Sequence, residues 1–384
     1  MTMKRTLAIL SALLLAVPAA GLAAQEMTLT AINVGKADCL LLQYGDVTYL
    51  IDTGTVESWG AVSAALRALD VRRVDGVILT HCDKDHAGGI QALASSSIEV
   101  GQWIASKYYC EVTEDEHPAV LAAAQRGAQV TWMAAGDSLP FADGTLEALG
   151  PRQYFSDSEN NDSLVLLAKA AGASVLLAGD MEEPAEQLLL AAGVLSRVTV
   201  LKVGHHGEGD ATSAAFVQAV SPRVAVISTN SVAEPDTPSK KVLKRLKQAG
   251  AQIALTESTQ GAVRVRASQG SASVELLSWE NLPALPAGVA LTAKDAEDDT
   301  VRIENRGSQA ADLSGWFIRS GRGNEVFVFP EGSVLAAGAA WTVSTVSSPK
   351  PGDFVWQDKN VWHNSKADPA TLMDVYGREV SRLE

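Results

Sequence analysis

The pattern of apolar and polar positions predicts two successive regions of different character. Up to about residue 280, short apolar segments alternate with helix-like patterns, which is typical of an α/β protein. Strands are predicted at residues 27–34, 39–43, 47–51, 163–168, 174–178, 198–203 and 224–228, and helices at 57–69, 115–126, 184–192 and 237–248. Beyond residue 289, short strands rich in glycine, serine and aromatic residues predict a small β-sandwich.

Pro283 and Pro286 lie in a short segment, residues 281–288, that reads as a linker between these regions. We therefore predict one domain over residues 25–280 and a second over residues 289–384. The first 24 residues stand apart. Lys4 and Arg5 precede an apolar run and a stretch of small residues, which is the layout of a secretory signal peptide, and a retained N-terminal anchor is the alternative.

The charge of the chain limits its partners. The formal charge is −14, and cleavage of the leader would remove Lys4 and Arg5 and take it to −16. An acidic protein is poorly suited to broad, sequence-independent nucleic-acid binding, which relies on many contacts from Lys and Arg to phosphates. A phosphate substrate held by metal ions remains compatible with this charge, because bound cations can be the largest local charges in a site.

Metal-binding residue types are concentrated after the apolar segment at residues 77–79. His81, Asp83, Asp85 and His86 fall within six residues, and Gly88-Gly89 then leads into a helical pattern. Alternate residues of an extended loop point the same way, so three of the four can share a face while His86 approaches from the opposite one. This spacing suits two adjacent ions. The alternative is a polar surface turn, which needs no histidines.

Other predicted strands also end in ligand-type residues. Asp180 follows the strand at residues 174–178, and His205-His206 follows the strand at residues 198–203. Strand ends of this kind can meet at one edge of a layered sheet, and four of the six histidines of the chain lie in these motifs. The sequence therefore predicts a metal site at a sheet edge, rather than a set of unrelated loops.

The helix predicted at residues 237–248 is strongly basic. A solvated face explains its charges adequately, since the later ones lie near the negative end of the helix dipole, and a polyanion-binding patch is the alternative. The cations concerned are Lys240, Lys241, Lys244, Arg245 and Lys247.

Residues 27–277 resemble the metallo-β-lactamase superfamily, and most closely its branch in ComEC-type DNA-uptake competence proteins. The segments that carry this resemblance are residues 33–38, 50–54, 80–89, 159–166, 177–180 and 201–207. The resemblance implies an αββα four-layer sandwich with a metal site at one edge. It also implies two divalent ions, the first bound by His81 and Asp83, the second by Asp85, His86 and His205, with Asp180 as the bridge. His206 would orient His205 or touch substrate. The alternative assignment, with His206 as the ligand in place of His205, remains open.

Two departures from the commonest superfamily motifs affect the metal. Asp83 replaces a histidine, and Glu159-Asn160-Asn161 replaces a later histidine motif. Both make the first site richer in oxygen, so manganese or magnesium competes with zinc. A third departure concerns the chemistry, because Thr237-Pro238 stands where the competence branch has His-Pro. A histidine that could contact substrate or a leaving group is therefore missing.

Residues 289–384 resemble a lamin-tail domain, an immunoglobulin-like sandwich. Residues 312–316, 327–330, 335–338 and 372–377 carry this resemblance, which implies a binding or tethering module without a catalytic site.

Together these features predict a secreted or extracytoplasmic metal-dependent hydrolase, with Asp180, Asp85 and His206 as catalytic residues. The protein would be membrane-associated if the N-terminal segment is retained, and no membrane span is predicted in the mature chain. The predicted substrate is a phosphodiester, with extracellular DNA as the first candidate. One alternative is a non-catalytic, metal-stabilised protein that binds a surface or polymer through its C-terminal domain. Another is hydrolysis of a phosphocholine ester or a β-lactam.

Overall fold

A computed structural model describes residues 25–279, 282–323 and 325–384. The predicted signal segment, residues 1–24, lies outside the described residues. Within them, no helix combines the length and the apolar character needed to cross a bilayer.

The first sheet has eight strands and forms one half of the N-terminal region. Its spatial order is β17-β16-β1-β2-β3-β5-β7-β8, and its edge from β3 to β8 is parallel. The strands are β1 (Met27–Ile32), β2 (Leu40–Tyr44), β3 (Val47–Ile51), β5 (Gly76–Leu79), β7 (Trp103–Ser106), β8 (Val130–Met133), β16 (Ala262–Ser268) and β17 (Ser271–Leu277). A two-stranded ribbon, β4 (Arg73–Val74) with β6 (Glu99–Val100), lies beside it.

The second sheet has seven strands in the order β15-β14-β13-β12-β11-β10-β9, and its strands β12 to β15 are parallel. The strands are β9 (Ser138–Phe141), β10 (Gly144–Gly150), β11 (Val165–Ala170), β12 (Ala173–Leu177), β13 (Val200–Lys202), β14 (Val224–Ile227) and β15 (Gln252–Leu255). The carboxyl ends of neighbouring parallel strands lie at the same edge, so the residues after β12, β13 and β14 are brought together.

Seven α-helices cover the outer faces of the two sheets. They are α1 (Trp59–Ala68), α2 (Lys84–Ala87), α3 (Ile90–Ser95), α4 (Pro118–Gln125), α5 (Glu183–Ala191), α6 (Ala214–Val220) and α7 (Lys240–Gln248) among the described residues. Short 3-10 turns occur at Glu114–Glu116, Asn160–Asp162, Gly204–Gly207 and Thr256–Ser258.

Three apolar cores separate the four layers. The central core joins the facing sides of the two sheets, through residues such as Ile51 and Leu166. A second core joins α1, α3 and α4 to the first sheet, and a third joins α5, α6 and α7 to the second sheet. Helices on the outside and apolar side chains on both faces of each sheet make the αββα sandwich that the sequence predicts, which confirms that fold.

The C-terminal region is a β-sandwich. One sheet has the order β18-β19-β24-β25, the other β22-β21-β26-β27, and they enclose a common apolar core. The strands are β18 (Val289–Asp295), β19 (Thr300–Asn305), β20 (Ala311–Asp312), β21 (Phe317–Ser320), β22 (Val326–Val328), β23 (Val334–Leu335), β24 (Ala340–Thr345), β25 (Phe354–Trp356), β26 (Ala370–Met373) and β27 (Glu379–Leu383). The short strands β20 and β23 pair with each other.

The β-sandwich packs directly against the N-terminal region and is not connected to it by the linker alone. Phe317, Val326 and Val328 belong to the same buried apolar cluster as α1, α3 and α4. The backbones also meet, since a Cβ atom placed on Gly60 of α1 would lie 2.4 Å from the Cα of Gly377. The backbones can approach this closely because both residues are glycines and neither carries a side chain.

Candidate metal centre

The loop after β5 carries the first group of predicted ligands. His81 is buried, Asp83 immediately precedes the short helix α2, and α2 itself presents Asp85 and His86. Two glycines then let the chain pass close to a neighbouring loop, since a Cβ atom on Gly89 would lie 2.3 Å from the carbonyl oxygen of Thr53. Any side chain there would push the ligand loop away from the sheet edge.

Four side chains from three segments converge at this edge. The Nε2 atom of His206 lies 3.2 Å from Asp85 Oδ2, 3.3 Å from Asp180 Oδ2 and 3.3 Å from the Nε2 atom of His86. The Nε2 atom of His86 in turn lies 3.2 Å from Asp180 Oδ1. Asp180 thus faces a different histidine with each of its oxygens.

His81 and Asp83 lie beside this group. The centroids of the His81 and His86 rings lie 4.1 Å apart with their planes tilted by 49°, and the Nε2 atom of His81 is 3.6 Å from Asp83 Oδ2. The other ring nitrogen, Nδ1, faces the hydroxyls of Thr80 and Ser163, at 3.0 and 3.3 Å. The Nε2 atom of His81 is therefore left free to face the same edge as Asp180.

The structure does not bring His205 into this group. Its Nδ1 atom lies 3.0 Å from Asp210 Oδ1, and its ring approaches Asn160 and Glu182 on the outer side. Both histidines have left-handed backbone conformations, with φ of 47° for His205 and 52° for His206. The turn therefore sends the two rings in different directions, and the buried ring that faces Asp180 belongs to His206.

Hydrogen bonds fix the orientation of the histidines that converge. Nδ1 of His86 lies 2.8 Å from Asp52 Oδ2, and Nδ1 of His206 lies 3.1 Å from the carbonyl oxygen of Ser228. Because a carboxylate and a carbonyl can only accept, each Nδ1 carries a proton and donates it. Each Nε2 can then direct a lone pair at the common point, as in protein metal sites where a carboxylate orients a ligating histidine.

Sequence reasoning missed several residues of this inner shell. Asp52 was recognised only as the polar end of a strand, although its carboxylate also accepts hydrogen bonds from the backbone and side chain of Thr80. Asp38 and Lys202 form a fully buried ion pair, with 2.7 Å between Lys202 Nζ and Asp38 Oδ2. An isolated lysine within an apolar strand was the signal that could have revealed this pair.

Glu159 and Asn161 lie outside the converging group. The Glu159 carboxylate accepts hydrogen bonds from the backbone of Cys82, Cys110 and Glu111, so it ties the ligand loop to the next segment. Asn161 binds Glu182 through its amide nitrogen, at 2.6 Å. These residues therefore shape the walls of the site, with no direct contact to its centre among the described residues.

His117 caps α4. Its Nδ1 atom accepts a hydrogen bond from the backbone of Ala119, and burial lowers the pKa of His117 to about 4. A neutral ring packed against Trp132 suits this role.

The electrostatics of the centre favour a cation. Burial disfavours the charged form of His206, but Asp180 and the hydrogen bonds to Asp180 and Asp85 outweigh it and raise the pKa of His206 to about 9. Burial likewise opposes ionisation of Asp180, yet the facing rings of His206 and His86 hold its pKa well below the usual range. Positive charge is thus stabilised at the point where the side chains meet.

The donor set fits a divalent metal ion. The Nε2 atom of His81 is buried and has no hydrogen-bond partner in the part of the chain that the structure describes. Such atoms are costly to bury unless something binds them. Imidazole nitrogens combined with carboxylate oxygens suit zinc and manganese, with more oxygen favouring the harder ion.

Comparison with known proteins agrees with this geometry. Residues 32–231 match the Metallo-beta-lactamase superfamily. The chain belongs to this superfamily. Its fold therefore implies that the chain binds divalent metal. Residues 287–384 match the Lamin Tail Domain, as the sequence predicts.

The resemblance to competence proteins is also confirmed. The chain is 30% identical to ComE operon protein 3 of Bacillus subtilis over 246 residues, which cover 59% of this chain and 31% of that protein. It is 28% identical to competence protein ComA of Neisseria gonorrhoeae, over 67% of this chain and 36% of that one. The chain thus spans about a third of the length of these relatives. Among solved structures, the metallo-beta-lactamase fold protein YhfI of Bacillus subtilis gives a TM-score of 0.37 at 12% identity, covering 65% of this chain and 100% of YhfI.

Proposed function

We propose that this superfamily member is an extracytoplasmic two-metal hydrolase that cleaves a phosphodiester, with DNA as the first substrate to test. The observation that carries the proposal is the arrangement of Asp180, whose two oxygens face His86 and His206 separately at 3.2 and 3.3 Å. A carboxylate placed in this way is suited to bridge two ions.

The residues divide into two sets around Asp180. His81 and Asp83 would hold one ion, and Asp85, His86 and His206 the other, so His206 takes the position that the resemblance gave to His205. Divalent ions in this site supply Lewis-acid chemistry, which neutralises charge on a phosphoryl oxygen and acidifies water near neutral pH. The side chains keep the site ordered before substrate arrives, because Asp52 and Ser228 hold two of the rings in place.

The exposed sides of Asp83 and Asp85 give the substrate access. Each of these side chains is 32% exposed, whereas the rings of His81, His86 and His206 are buried. A phosphate can therefore approach from the carboxylate side, while the protein core shields the opposite side from water. The negative potential of these carboxylates would repel a phosphate unless cations are bound, so a phosphodiester should occupy the centre itself only when metal is present.

The experiment is a metal-dependent activity screen. The purified protein, stripped of metal and then supplied with zinc, manganese or magnesium, is incubated with DNA and with small phosphodiesters. We expect hydrolysis that requires added metal and disappears with a chelator. Absence of turnover of every phosphoester with every metal would exclude the proposal.

One observation favours the second candidate, a metal-stabilised binding protein. The Thr237 hydroxyl donates a hydrogen bond to Glu208 Oε1 at 2.7 Å, and the same carboxylate pairs with Lys36 at 2.9 Å. The position at which the competence branch has a histidine is thus engaged in a structural contact. Metal stoichiometry separates the two functions, because an enzyme needs an open coordination position and a structural site is closed. Two bound ions that exchange water favour the hydrolase.

A further inference from the structure

Helix α7 concentrates positive charge on the surface of an acidic protein. Five of its nine residues are Lys or Arg, while the whole chain carries a formal charge of −14. Arg245 is engaged, since it donates hydrogen bonds to the carbonyl oxygens of Ala211 and Thr212. The four lysines are exposed, and none has an ion-pair partner among the described residues. These lysines are Lys240, Lys241, Lys244 and Lys247.

The stability of the helix does not explain the first two lysines. Cations stabilise the carboxyl end of a helix and destabilise its amino end, where the dipole is positive. Lys240 and Lys241 nevertheless occupy the first two positions of α7, and the described chain places no acidic residue in its first turn. The helix dipole accounts for Lys247, because this residue lies in the last turn, near the negative end of the helix. It leaves Lys240 as a charge held at an unfavourable place. Lys241 lines a hollow together with Glu183 and Asp210, whose negative charges favour it.

Helix α7 begins at the rim of the metal centre. The backbone of Ser239, which caps α7, donates a hydrogen bond to the carbonyl oxygen of Gly207 at 2.8 Å. Gly207 directly follows His206, and a Cβ atom on it would lie 3.0 Å from the Pro238 side chain. The amino end of the basic helix is therefore fixed to the turn that carries a residue of the converging group.

Three of the lysines form one strip that leads away from this rim. Lys240, Lys244 and Lys247 lie four and three residues apart, which places them on the same side of a helix. At 1.5 Å per residue the strip is about 10 Å long. It borders a shallow depression of about 430 Å³, and the described residues that line it include Leu243 and no acid.

We propose that this strip binds the sugar-phosphate backbone of a DNA strand whose neighbouring phosphodiester lies at the metal centre. The inference rests on the proposed hydrolase function and adds to it, because it makes the enzyme one that prefers a polymer to a small phosphodiester. Consecutive phosphates along a strand match lysines one helical turn apart, and each lysine neutralises one charge. The adjacency to the metal rim favours this ligand over an anionic membrane surface, which would require no neighbouring catalytic site.

The first test measures binding without hydrolysis. A fluorescein-labelled single-stranded oligonucleotide is titrated in EDTA with the wild-type protein, and its anisotropy is followed at several salt concentrations. The variant is K240Q/K244Q/K247Q. The matched control, K169Q/K359Q/K366Q, removes three exposed lysines elsewhere and changes the net charge equally.

We expect the strip variant to bind at least about tenfold more weakly and its slope of log Kd against log salt to fall by about two to three, because up to three phosphate contacts are lost. The control should match the wild type. Equal weakening in both variants would overturn the proposal, since it would reflect net charge alone. Unchanged binding in the strip variant would also overturn it. So would binding to phosphatidylserine vesicles in the absence of any binding to the oligonucleotide.

The second test separates this inference from the proposed function. With metal present, kcat/KM is measured for the oligonucleotide and for a dinucleotide, and the ratio of the two is compared. The strip variant should lower the ratio about tenfold, whereas an unchanged ratio would overturn the polymer preference. If no protein hydrolyses either substrate, the proposed function fails while the anisotropy result still decides whether the strip binds DNA.

Discussion

At the scale of single residues, Asp180 is the side chain on which the proposed metal centre would depend most. An amide has the shape of a carboxylate but cannot offset the charge of two cations. We therefore expect Asp180→Asn to lose at least one ion, measured by elemental analysis, and to lower hydrolysis by orders of magnitude while circular dichroism stays unchanged. The control is Asp157→Asn, at an exposed position, which should alter stability by less than about 0.5 kcal/mol. Wild-type ion content in Asp180→Asn would show that the two-ion site is misassigned.

The adjacent histidines give a second prediction at this scale. His206 is buried among Asp85, Asp180 and His86, whereas His205 pairs with Asp210 at the surface. We expect His206→Ala to weaken metal affinity by more than about a hundredfold, because removal of a supporting contact alone costs 10–100-fold. His205→Ala should bind metal as the wild type does. Calorimetric titration of the metal-free proteins measures both values, and the opposite order would restore His205 as the ligand.

The pKa values of the same histidines predict how stability responds to pH. The pKa of His206 in the metal-free protein is raised from 6.5 to about 9, and that of His86 is raised well above 6.5. Protonation therefore stabilises the metal-free fold fully below pH 6.5, and this contribution is lost as the pH rises towards 9. Metal ligation needs the deprotonated rings, so metal stabilises more as the pH rises.

We expect the melting temperature in EDTA to fall by several degrees between pH 6.5 and about 9, and the increase produced by zinc or manganese to grow over the same interval. Thermal unfolding followed by circular dichroism measures both. A metal-induced increase that is independent of pH would contradict the proposed ligation by these histidines.

Sequence reasoning at this scale reached the residue types of the site and missed part of its geometry. An extended loop predicted that His81, Asp83 and Asp85 share one face, but the chain forms the short helix α2 after Asp83. Successive residues then rotate by about 100°, which brings Asp85 and His86 into one group. No local pattern reveals that two consecutive residues of a turn take positive φ, so the choice between His205 and His206 required the three-dimensional structure.

At the scale of secondary-structure elements, strands and helices with clear periodicity were predicted well. Residues 47–51 coincide with β3, and the helix predicted at residues 57–69 contains α1. The strands between α3 and β11 were not predicted. They are two to seven residues long, and β9 alternates only two buried with two exposed positions. An alternating pattern over so few residues arises often by chance and does not predict a strand. These strands are determined by their pairing with neighbouring strands.

Helix α1 gives a prediction at this scale through Gly60. Replacing it by alanine places a methyl group 2.4 Å from the Cα of Gly377, so α1 and the C-terminal β-sandwich must separate locally. We expect Gly60→Ala to destabilise the full chain by about 1–3 kcal/mol in urea unfolding. In a chain without residues 289–384 the same substitution should stabilise by up to about 1 kcal/mol, because alanine favours a helix over glycine. If Gly60→Ala changes the free energy of unfolding in the same direction in the full and the truncated chain, the contact is not tight.

At the scale of the whole molecule, the layer order followed from the family resemblance, but the contact between the two regions was not predicted. The sequence places Phe317, Val326 and Val328 in short strands of the predicted β-sandwich. They instead complete a core shared with α1, α3 and α4. Complementary surfaces of two folded regions leave no periodic signal in either one, which is why the sequence suggested only a linker.

This contact sharpens the prediction that the two regions are separable. The converging side chains all belong to residues 38–228, so removal of residues 289–384 should leave metal content intact. The truncated protein should nevertheless unfold at a lower temperature, because Trp59 and Leu66 of α1 lie beside the contact and become more exposed. Elemental analysis and thermal unfolding test the two parts. Loss of all ions from a soluble, folded truncation would show that the β-sandwich supports the metal edge.

The pair Gly60 and Gly377 also constrains how such a protein can arise by recombination of genes. An N-terminal region of this fold that acquires a lamin-tail partner by gene fusion can pack closely against it only if both surfaces present a residue without a side chain where they meet. A substitution that adds a side chain at either position would separate the two surfaces. No change at the other position could relieve the clash, because glycine has no side chain to remove. We therefore expect both glycines to be present in every protein in which these two regions occur together with this packing.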